Sequence, residues 1–399
     1  MANLRLAVVS DAIYPWHKGG KEVRYHNLLP HLAATGIDIT VYTMRWWDTP
    51  PPRVSHGGGS VCYKAISPRM DMYTGPRRSI PQAIVFAICC LKLLFANFDI
   101  LEADHMPYLQ LFPLRLITWA KRKPFVVSWH EVWGKSYWID YLGQPGRIAA
   151  LIESAAARLP DLLLTLTKDA STALSALTKN KVEILLTPPA VDTELLNSAP
   201  INTSAPDLLF IGRLISHKNP ALALDTLAVI KNNFPTATLG IIGSGPEEDN
   251  LRAQRDALSL ADSVTLYGAL DTQAELWALL KGTSVLLFPS MREGFGIVVA
   301  EALSCGTPVI CLDHPSNEAR HLIDDQTGTL TSSLDPTIWA SIAESYISTT
   351  NPAAASPTTR VSRSAAFAAS HPELDWATSA ARLSRRLKDL AFKDSGGKE

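Results

Sequence analysis

The chain has 399 residues, 47% hydrophobic and 19% charged, the balance of a globular protein too long for one ordinary core. The formal net charge of −1 provides no overall basic field, so we expect no nucleic-acid partner. Five cysteines without a C-x-x-C pair argue against a disulfide framework and favour a reducing compartment.

Short β-branched runs alternate with longer helical stretches in the first half, a pattern typical of βαβ units and parallel sheets. The pattern predicts strands at 5–10, 38–43, 61–66, 100–102, 125–128, 162–165 and 183–186. Helices are predicted at 23–35, 80–96 and 146–159.

The alternation stops at Pro188-Pro189 and restarts after a stretch rich in Asn, Ser, Thr and Pro. Further strands are predicted at 208–211, 238–242, 263–267, 284–288 and 308–312, and helices at 220–233, 246–258, 272–281, 297–305 and 376–392. We expect 351–370 to be a loose surface connection and 394–399 a disordered tip. The predicted organisation is therefore an α/β domain at 1–196, a linker at 197–206, a second α/β domain at 207–370, and a segment at 371–399 whose helix crosses back to the first domain.

The loop 15–20 follows the first strand and contains the paired glycines Gly19 and Gly20. Ligands bind at the carboxyl ends of strands in open α/β sheets, and glycines let the backbone N–H groups approach a phosphate. A tight strand-to-helix turn is the alternative. The spacing falls short of G-x-G-x-x-G, so a nicotinamide cofactor is poorly supported.

Two polar groups follow other strands of the first half. His130 follows strand 125–128, where it could hydrogen-bond a sugar hydroxyl or carry a proton; a structural histidine among aromatic residues is the alternative. The candidates for the acceptor side are His17, Asp104, His105 and Glu131.

Arg213 and Lys218 lie in the loop after strand 208–211, with Pro220 at a helix start. The loop can bring both cations onto one diphosphate, where they would stabilise charge on a leaving phosphate. Two solvated surface cations are the alternative. The turn containing Gly243 and Gly245 would let a base or phosphate approach, unless it is only a compact βα turn.

The most specific motif runs from Glu293 to Glu301, two glutamates separated by seven residues. A helix starting near Gly296 would present free N–H groups to anionic oxygens or sugar hydroxyls. The motif would span ~12 Å as helix, so one carboxylate could hold a sugar and the other a ribose. The alternative is a capping carboxylate and a helix-face glutamate, although Glu301 lies in an apolar run and needs a partner there.

In this order, the motifs resemble those of retaining glycosyltransferases of GT-B family 4, over nearly the whole chain. The resemblance implies two Rossmann-like domains whose parallel sheets face each other across a cleft that holds the donor. It implies that Arg213 and Lys218 grip the diphosphate, that Glu301 holds the ribose, and that Glu293 contacts the sugar. The implied catalytic residues are His130, Arg213, Lys218 and Glu293, and the implied donor-binding residues are Gly19, Gly20, Gly243, Gly245, Phe295, Gly296, Ile297, Val298 and Glu301.

The resemblance implies transfer of a hexosyl unit from a UDP or GDP sugar to a saccharide or lipid-linked hydroxyl acceptor, in cell-surface glycan, polysaccharide or glycolipid biosynthesis. The leaving phosphate would help to deprotonate the acceptor. No D-x-D motif is present, which favours transfer without a metal or other cofactor. The family's Asn-Gly-Val-Asp is replaced by Pro189-Ala-Val-Asp192, which changes the local loop. The alternatives are a nucleotide-sugar epimerase or glycan phosphorylase on the same scaffold, and a non-catalytic binding protein.

Basic residues flank two apolar stretches of the first half. Arg77-Arg78 precede 80–96, and Lys121-Arg122-Lys123 follow 109–120. This combination can hold a protein on an anionic membrane, whereas core helices with solvated ends are the alternative. The N-terminal residues lack the order of features of a secretory signal, and no apolar stretch reaches the ~20 residues needed to cross a bilayer. We therefore expect a cytoplasmic protein that can contact the inner face of the membrane.

Overall fold

The computed structural model describes residues 3–17, 19–74, 77–349 and 357–393. The chain divides into two compact units, one of residues 1–188 with 376–399 and the other of residues 189–375. The predicted linker 197–206 therefore lies within the second unit, and the boundary falls earlier in the chain than predicted. The cause is a set of hydrogen bonds from Lys281 Nζ to the carbonyls of Leu196 and Ala199, each 2.6 Å long, which tie this segment to the second unit.

The first unit consists of strands around which helices are arranged. Its strands are β1 (Leu4–Val9), β2 (Ile37–Met44), β3 (Val54–His56), β4 (Gly59–Ser67), β5 (Tyr73–Thr74), β6 (Arg77–Arg78), β7 (Ile100–Asp104), β8 (Phe125–Trp129), β9 (Leu162–Thr165) and β10 (Glu183–Leu186). Its helices are α1 (Gly20–Ala34), α2 (Ile80–Cys89), α3 (Leu111–Lys121), α4 (Gly134–Leu142), α5 (Gly146–Ala156), α6 (Lys168–Thr178) and, at the end of the chain, α14 (Trp376–Lys393).

Eight of these strands form one sheet in the order β10-β9-β8-β7-β1-β2-β4-β3. The strands pair in parallel except for β3, which is antiparallel to β4. The chain moves outward from β1 in one direction through β2 and then in the other through β7. The carboxyl ends of β1 and β7 therefore form the switch point at which doubly wound sheets bind ligands.

The second unit is a smaller sheet of the same kind. Its strands are β11 (Leu208–Ile211), β12 (Leu239–Ile242), β13 (Val264–Gly268), β14 (Val285–Phe288), β15 (Val309–Leu312) and β16 (Gly328–Thr331). Its helices are α7 (Thr193–Ser198), α8 (Pro220–Ile230), α9 (Glu248–Ala257), α10 (Gln273–Gly282), α11 (Ile297–Ser304), α12 (Pro336–Thr349) and α13 (Pro357–Ser370).

The strands of the second unit are all parallel in the order β13-β12-β11-β14-β15-β16, with a switch point between β11 and β14. Leu209 and Leu286 point into one apolar cluster, while Leu208 and Leu287 point into another on the opposite face. Because both faces are covered, the strands are continuous hydrophobic runs. The predicted α/β fold class is confirmed.

The segment predicted as a loose connection is helical from Pro357 to Ser370, so that prediction is wrong over these residues. Phe367 is buried, and Ser364 Oγ donates to the Ser304 carbonyl at 2.6 Å, so α13 packs against the second unit. Its alanines are also strong helix formers. The predicted stretch 80–96 is α2 followed by a 3-10 turn at 90–95, and residues 351–356 and 394–399 lie outside the described residues.

The last helix, α14, packs against α1 of the first unit. Lys388 Nζ donates to the Thr35 carbonyl at 2.9 Å, and Thr35 Oγ1 donates to Ser384 Oγ at 2.8 Å. Arg386 forms an ion pair with Glu183 at the start of β10, while Leu387 is fully buried. These contacts explain why the chain's last helix belongs with its first residues.

Candidate active site

The loop after β11 carries Lys218 at the carboxyl edge of the second sheet. A 3-10 turn at 216–218 ends at Asn219, whose left-handed backbone (φ 50°) starts α8 and whose Nδ2 donates to the Pro289 carbonyl at 2.9 Å. Lys218 Nζ contacts Glu293 Oε2 and lies 5.6 Å from the centre of the Phe288 ring. The structure therefore brings two of the predicted catalytic residues, Lys218 and Glu293, into one ion pair.

Arg213, in the same loop, is exposed. Burial lowers the pKa of His217, and the nearby cations Lys218 and Arg213 lower it further. These cations therefore act on the same region of the loop, and an anion there would be stabilised by both charges.

The loop that carries Glu293 is held by backbone bonds. Glu293 N donates to the Ser316 carbonyl at 3.0 Å, and Glu318 N donates to the Glu293 carbonyl at 3.0 Å. Gly296 precedes α11 with φ 82°, and a Cβ there would lie 2.4 Å from that of Ala319, so a glycine is required. Phe295, Ile297 and Val298 pack against the core cluster, which fixes the start of the helix.

Glu301 lies inside the second unit, 3% exposed, with its carboxylate held by α10. Trp277 Nε1 and Gln273 Nε2 both donate to Glu301 Oε1, at 3.0 and 2.8 Å. Burial raises the pKa of Glu301, while these two hydrogen bonds oppose the shift. The sequence analysis expected a partner for Glu301 because its neighbours are apolar. The structure identifies two, the Trp277 indole and the Gln273 amide, which the sequence did not indicate.

The glycines of the turn after β12 meet the backbone of the preceding βα loop. A Cβ on Gly243, whose φ is 134°, would lie 1.9 Å from the Gly212 carbonyl oxygen, and one on Gly245 would lie 2.3 Å from that of Leu214. Leu214 N also donates to the Ser244 carbonyl at 3.0 Å. Both glycines therefore have a structural role, and their contact with a donor stays a prediction.

In the first unit, a group of charged residues lies at the switch point between β1 and β7; we call Asp11, Lys21 and Asp104 the lysine cluster. Lys21 Nζ, from the first turn of α1, donates to Asp11 Oδ1 at 2.8 Å and to Asp104 Oδ2. Arg78 Nη2 lies 3.2 Å from Asp11 Oδ2. Burial lowers the pKa of Lys21, but the carboxylates of Asp104 and Asp11 outweigh burial and raise it. Lys21 is therefore charged at neutral pH.

Asp104 also contacts two of the predicted histidines. Asp104 Oδ1 lies 3.1 Å from His105 Nδ1 and 3.6 Å from His130 Nε2. Burial lowers the pKa of His130 well below its usual value, although Asp104 opposes that shift. Within the described residues His130 Nε2 is buried and has no hydrogen-bond partner, so the binding of a ligand hydroxyl by this imidazole stays a prediction.

Asp104, His105 and His130 offer three ligand atoms within 4.8 Å of one another, a spacing that a metal ion could use. The ammonium of Lys21 already contacts Asp104, so a metal would compete with a resident positive charge. Transfer without a metal stays a prediction.

The other predicted residues of this unit lie in different surroundings. The His17 ring packs edge-on against Trp46 with centroids 4.3 Å apart, and Glu131 Oε2 accepts from Trp133 Nε1 at 3.2 Å. Gly19 caps α1, and a Cβ on Gly19 would lie 2.4 Å from Glu22 Oε2. No described atom lies within 4 Å of a Cβ built on Gly20, so this backbone is open to a ligand.

Sequence reasoning missed Asp11, Lys21 and Arg78. Their only local signal is position: Asp11 follows the first strand and Lys21 begins the first helix. Their partner Asp104 lies far along the chain, so the pairing depends on the sheet order.

Comparison with known proteins covers both units. The family model for glycosyltransferase family 4 matches residues 18–195, and that for glycosyl transferases group 1 matches residues 191–354. A D-inositol 3-phosphate glycosyltransferase of Paenarthrobacter aurescens (strain TC1) is 26% identical over 364 residues, which cover 82% of this chain and 84% of the relative.

Solved structures show the same fold. Sucrose-phosphate synthase from Thermosynechococcus elongatus superposes with a TM-score of 0.70 at 18% identity, covering 97% of this chain and 99% of that one. HepE of Anabaena, in complex with UDP-glucose, gives a TM-score of 0.68 at 16% identity, covering 97% and 100%. With two parallel-sheet units and the paired glutamates around α11, these matches confirm the resemblance: the chain belongs to glycosyltransferase family 4 and is a glycosyltransferase of the GT-B fold.

Proposed function

We propose that this glycosyltransferase moves a hexosyl unit from a UDP or GDP sugar to a hydroxyl acceptor, with retention of the anomeric configuration. The observation that carries the proposal is the arrangement in the second unit, where Lys218 pairs with Glu293 and Glu301 is held by α10. The UDP-glucose bound to HepE supports a nucleotide-sugar donor.

In this proposal, donor binding breaks the ion pair between Lys218 and Glu293. A diphosphate arriving at Lys218 and Arg213 competes with the Glu293 carboxylate for the ammonium. Glu293 is then available to accept hydrogen bonds from hydroxyls of the transferred sugar. Because Glu301 Oε1 is occupied by Trp277 and Gln273, Oε2 is the oxygen for the ribose hydroxyls.

The proposed reaction breaks the bond between the anomeric carbon and the diphosphate oxygen and forms the new glycosidic bond on the same face. The acceptor proton passes to the leaving phosphate, so no protein base is needed. Arg213 and Lys218 stabilise the charge on the leaving group, as a metal does in other transferases. His130, neutral at pH 7, hydrogen-bonds a sugar hydroxyl near the reacting carbon.

The acceptor is a saccharide or a lipid-linked glycan, and the biological role is the synthesis of a surface glycan, polysaccharide or glycolipid. The D-inositol 3-phosphate glycosyltransferase relative supports a hydroxyl acceptor. A nucleotide-sugar epimerase or a glycan phosphorylase on this scaffold is the second candidate. Analysis of the products separates them, because an epimerase needs no acceptor and a phosphorylase needs inorganic phosphate.

A thermal-shift screen with UDP, GDP, ADP and their sugars tests the donor first. A ligand at a hundred times its Kd stabilises the folded protein by about 2.7 kcal/mol, which identifies the nucleotide. Release of nucleoside diphosphate from that donor then measures turnover. We expect Arg213→Ala and Glu301→Ala to lower turnover by roughly 10²–10³-fold.

The matched control is Arg252→Ala, which removes an exposed i,i+4 pair with Glu248 on α9 of the same unit and should leave turnover unchanged. Near-normal turnover in both Arg213→Ala and Glu301→Ala would overturn the proposed donor site.

A further inference from the structure

Helix α2 and the 3-10 turn after it present an apolar stripe to solvent. Ile80, Ile84, Ile88, Leu91 and Phe95 are all exposed, Phe95 by 90%. Their spacing places them on one side of a continuous helical path. The opposite side, which includes Phe86, Cys90 and Leu93, is buried in the first unit. Residues 80–95 therefore have two apolar sides, of which one packs in the core and the other faces solvent.

Helix α3 repeats the pattern. Phe112, Leu116 and Trp119 are exposed at i, i+4 and i+7, with Trp119 exposed by 72%. The residues Leu111, Leu114, Ile117 and Thr118 of the same helix are buried. Because α3 packs against the 90–95 turn, the two stripes lie on neighbouring elements. We call the docking face the set Ile80, Ile84, Ile88, Leu91, Leu94, Phe95, Phe112, Leu116 and Trp119.

Exposed apolar side chains gathered on adjacent elements mark an interaction surface. The charges around the docking face select the partner. The segments 79–98 and 105–130 contain no Asp or Glu, whereas Lys92, Arg115 and 121–123 are basic. Two acidic residues outside these segments are paired with the basic ones: Asp99 accepts from Arg5 at 2.8 Å and from Lys123 at 3.3 Å, and Asp161 accepts from Arg115 at 2.9 Å.

An apolar face whose basic neighbours outnumber the acidic ones, both of which are already paired, suits an anionic bilayer surface. Apolar side chains enter the boundary between headgroups and acyl chains, while Lys and Arg contact anionic lipids. Trp119 belongs to the residue type that concentrates at this depth. A second copy of the chain would oppose like charges across the contact. No helix among the described residues has the length and apolar character needed to cross a bilayer.

We propose that the docking face binds in the plane of an anionic membrane. Helix α2 connects this face to the lysine cluster, because Gln82 Nε2 on its buried side donates to Asp11 Oδ2 at 3.3 Å. If the chain transfers sugar as proposed above, a lipid-linked acceptor in that membrane is its substrate class. The surface itself is tested without any substrate.

Flotation of the full chain with vesicles tests the proposal. Vesicles of phosphatidylcholine alone are compared with an equimolar mixture of phosphatidylcholine and phosphatidylglycerol, at low and high salt. We expect binding to the anionic mixture, weakened by salt because surface charges are screened. The triple variant Ile88→Ser, Leu91→Ser, Phe95→Ser should bind at least roughly ten-fold more weakly, since binding scales with buried apolar area.

The matched control is Val361→Ser, which removes an apolar side chain that is 66% exposed on α13 in the second unit and should not change binding. Arg122→Asn tests the charge, because asparagine tolerates the left-handed backbone at this position (φ 52°). It should weaken binding to anionic vesicles by roughly five-fold and leave phosphatidylcholine unaffected.

Absence of binding to anionic vesicles at low salt overturns the proposal, as does equal binding of the native chain and the triple variant. Sedimentation equilibrium provides another overturning result: a dimer that the triple variant abolishes would show that the face joins two copies. All the substituted side chains are exposed, so circular dichroism should show unchanged folding. The thermal-shift screen with donor nucleotides is independent of vesicles. It shows whether the proposed donor binding fails while membrane binding holds, or the reverse.

Discussion

Trp277 Nε1 donates to Glu301 Oε1 at 3.0 Å, and both residues are buried in the second unit. An indole from α10 thus orients the carboxylate that α11 supplies. Gln273, one turn earlier on α10, donates to the same oxygen. Two donors on one oxygen leave the second oxygen to define the direction in which Glu301 can bind a ligand.

Trp277→Phe should weaken donor binding. Loss of a hydrogen bond to a buried carboxylate costs about 1–3 kcal/mol of unfolding free energy, and donor affinity should fall by roughly five-fold as Glu301 loses its orientation. The control is Trp339→Phe, which removes a 2.7 Å bond from a buried indole to the Ser333 carbonyl in the same unit. Urea unfolding and donor titration measure both effects. Equal donor affinity in the two variants would contradict an orienting role for Trp277.

Gly243→Ala should destabilise the second unit more than Gly268→Ala. Both glycines have positive φ, but no described atom lies within 4 Å of a Cβ on Gly268, whereas one on Gly243 would overlap the Gly212 carbonyl. Backbone strain alone costs about 1–2 kcal/mol per residue, and the overlap adds to that cost in Gly243→Ala. Urea unfolding compares the two variants, and the larger loss expected for Gly243→Ala combines the overlap with a φ of 134°, which lies further from the left-handed helical region than the 68° of Gly268. Similar losses in both would show that the loops separate without cost.

His130 should make stability fall as the pH falls. Burial holds the pKa of His130 well below the value of about 6.5 that a free imidazole has, so the unfolded chain takes up a proton that the folded chain does not. The contribution of neutral His130 to the unfolding free energy is fully present above about pH 6.5, and it is lost as the pH falls towards the pKa of His130 in the folded state. His130→Gln should therefore reduce the slope of unfolding free energy between about pH 7 and pH 5. An unchanged slope would mean that His130 is protonated in the folded state.

The contact between α14 and α1 should contribute strongly to the stability of the first unit. Leu387→Ala creates a cavity at a fully buried position and should cost about 2–5 kcal/mol of unfolding free energy. Phe392→Ala, on an exposed side chain of the same helix, should change it by less than about 0.5 kcal/mol. Urea unfolding followed through the first unit makes the comparison. If Leu387→Ala lowered the unfolding free energy by as little as Phe392→Ala does, α14 would not be needed for the stability of the first unit.

Central strands were predictable because burial on both faces makes them uninterrupted apolar runs, as in 208–211. The strand β16, Gly-Thr-Leu-Thr, has no such run and lies at an edge, so its sequence resembles a loop. Helix α13 was missed because Ala, Ser and Thr also occur in loose segments, and its stability depends on Phe367 packing in the core.

Some residues of the candidate site were also predictable from the sequence, and others were not. Glu293, Gly296 and Glu301 lie within one short stretch, so their spacing is visible in the sequence. Trp277 and Lys21 act through partners on other elements, Glu301 and Asp104, and only the packing of α10 and the sheet order bring these pairs together. Local motifs therefore indicated the candidate ligand-binding groups, while the residues that orient them could be identified only from the structure.

The two loops that follow β11 and β12 touch backbone to backbone at Gly243 and Gly245. A side chain at Gly243 or Gly245 requires the first loop to move, because the carbonyls of Gly212 and Leu214 occupy the space that its Cβ would need. In natural variants, changes around 212–219 should be accompanied by changes around 243–247. Attempts to graft these loops from a relative should accordingly exchange the two segments as a pair.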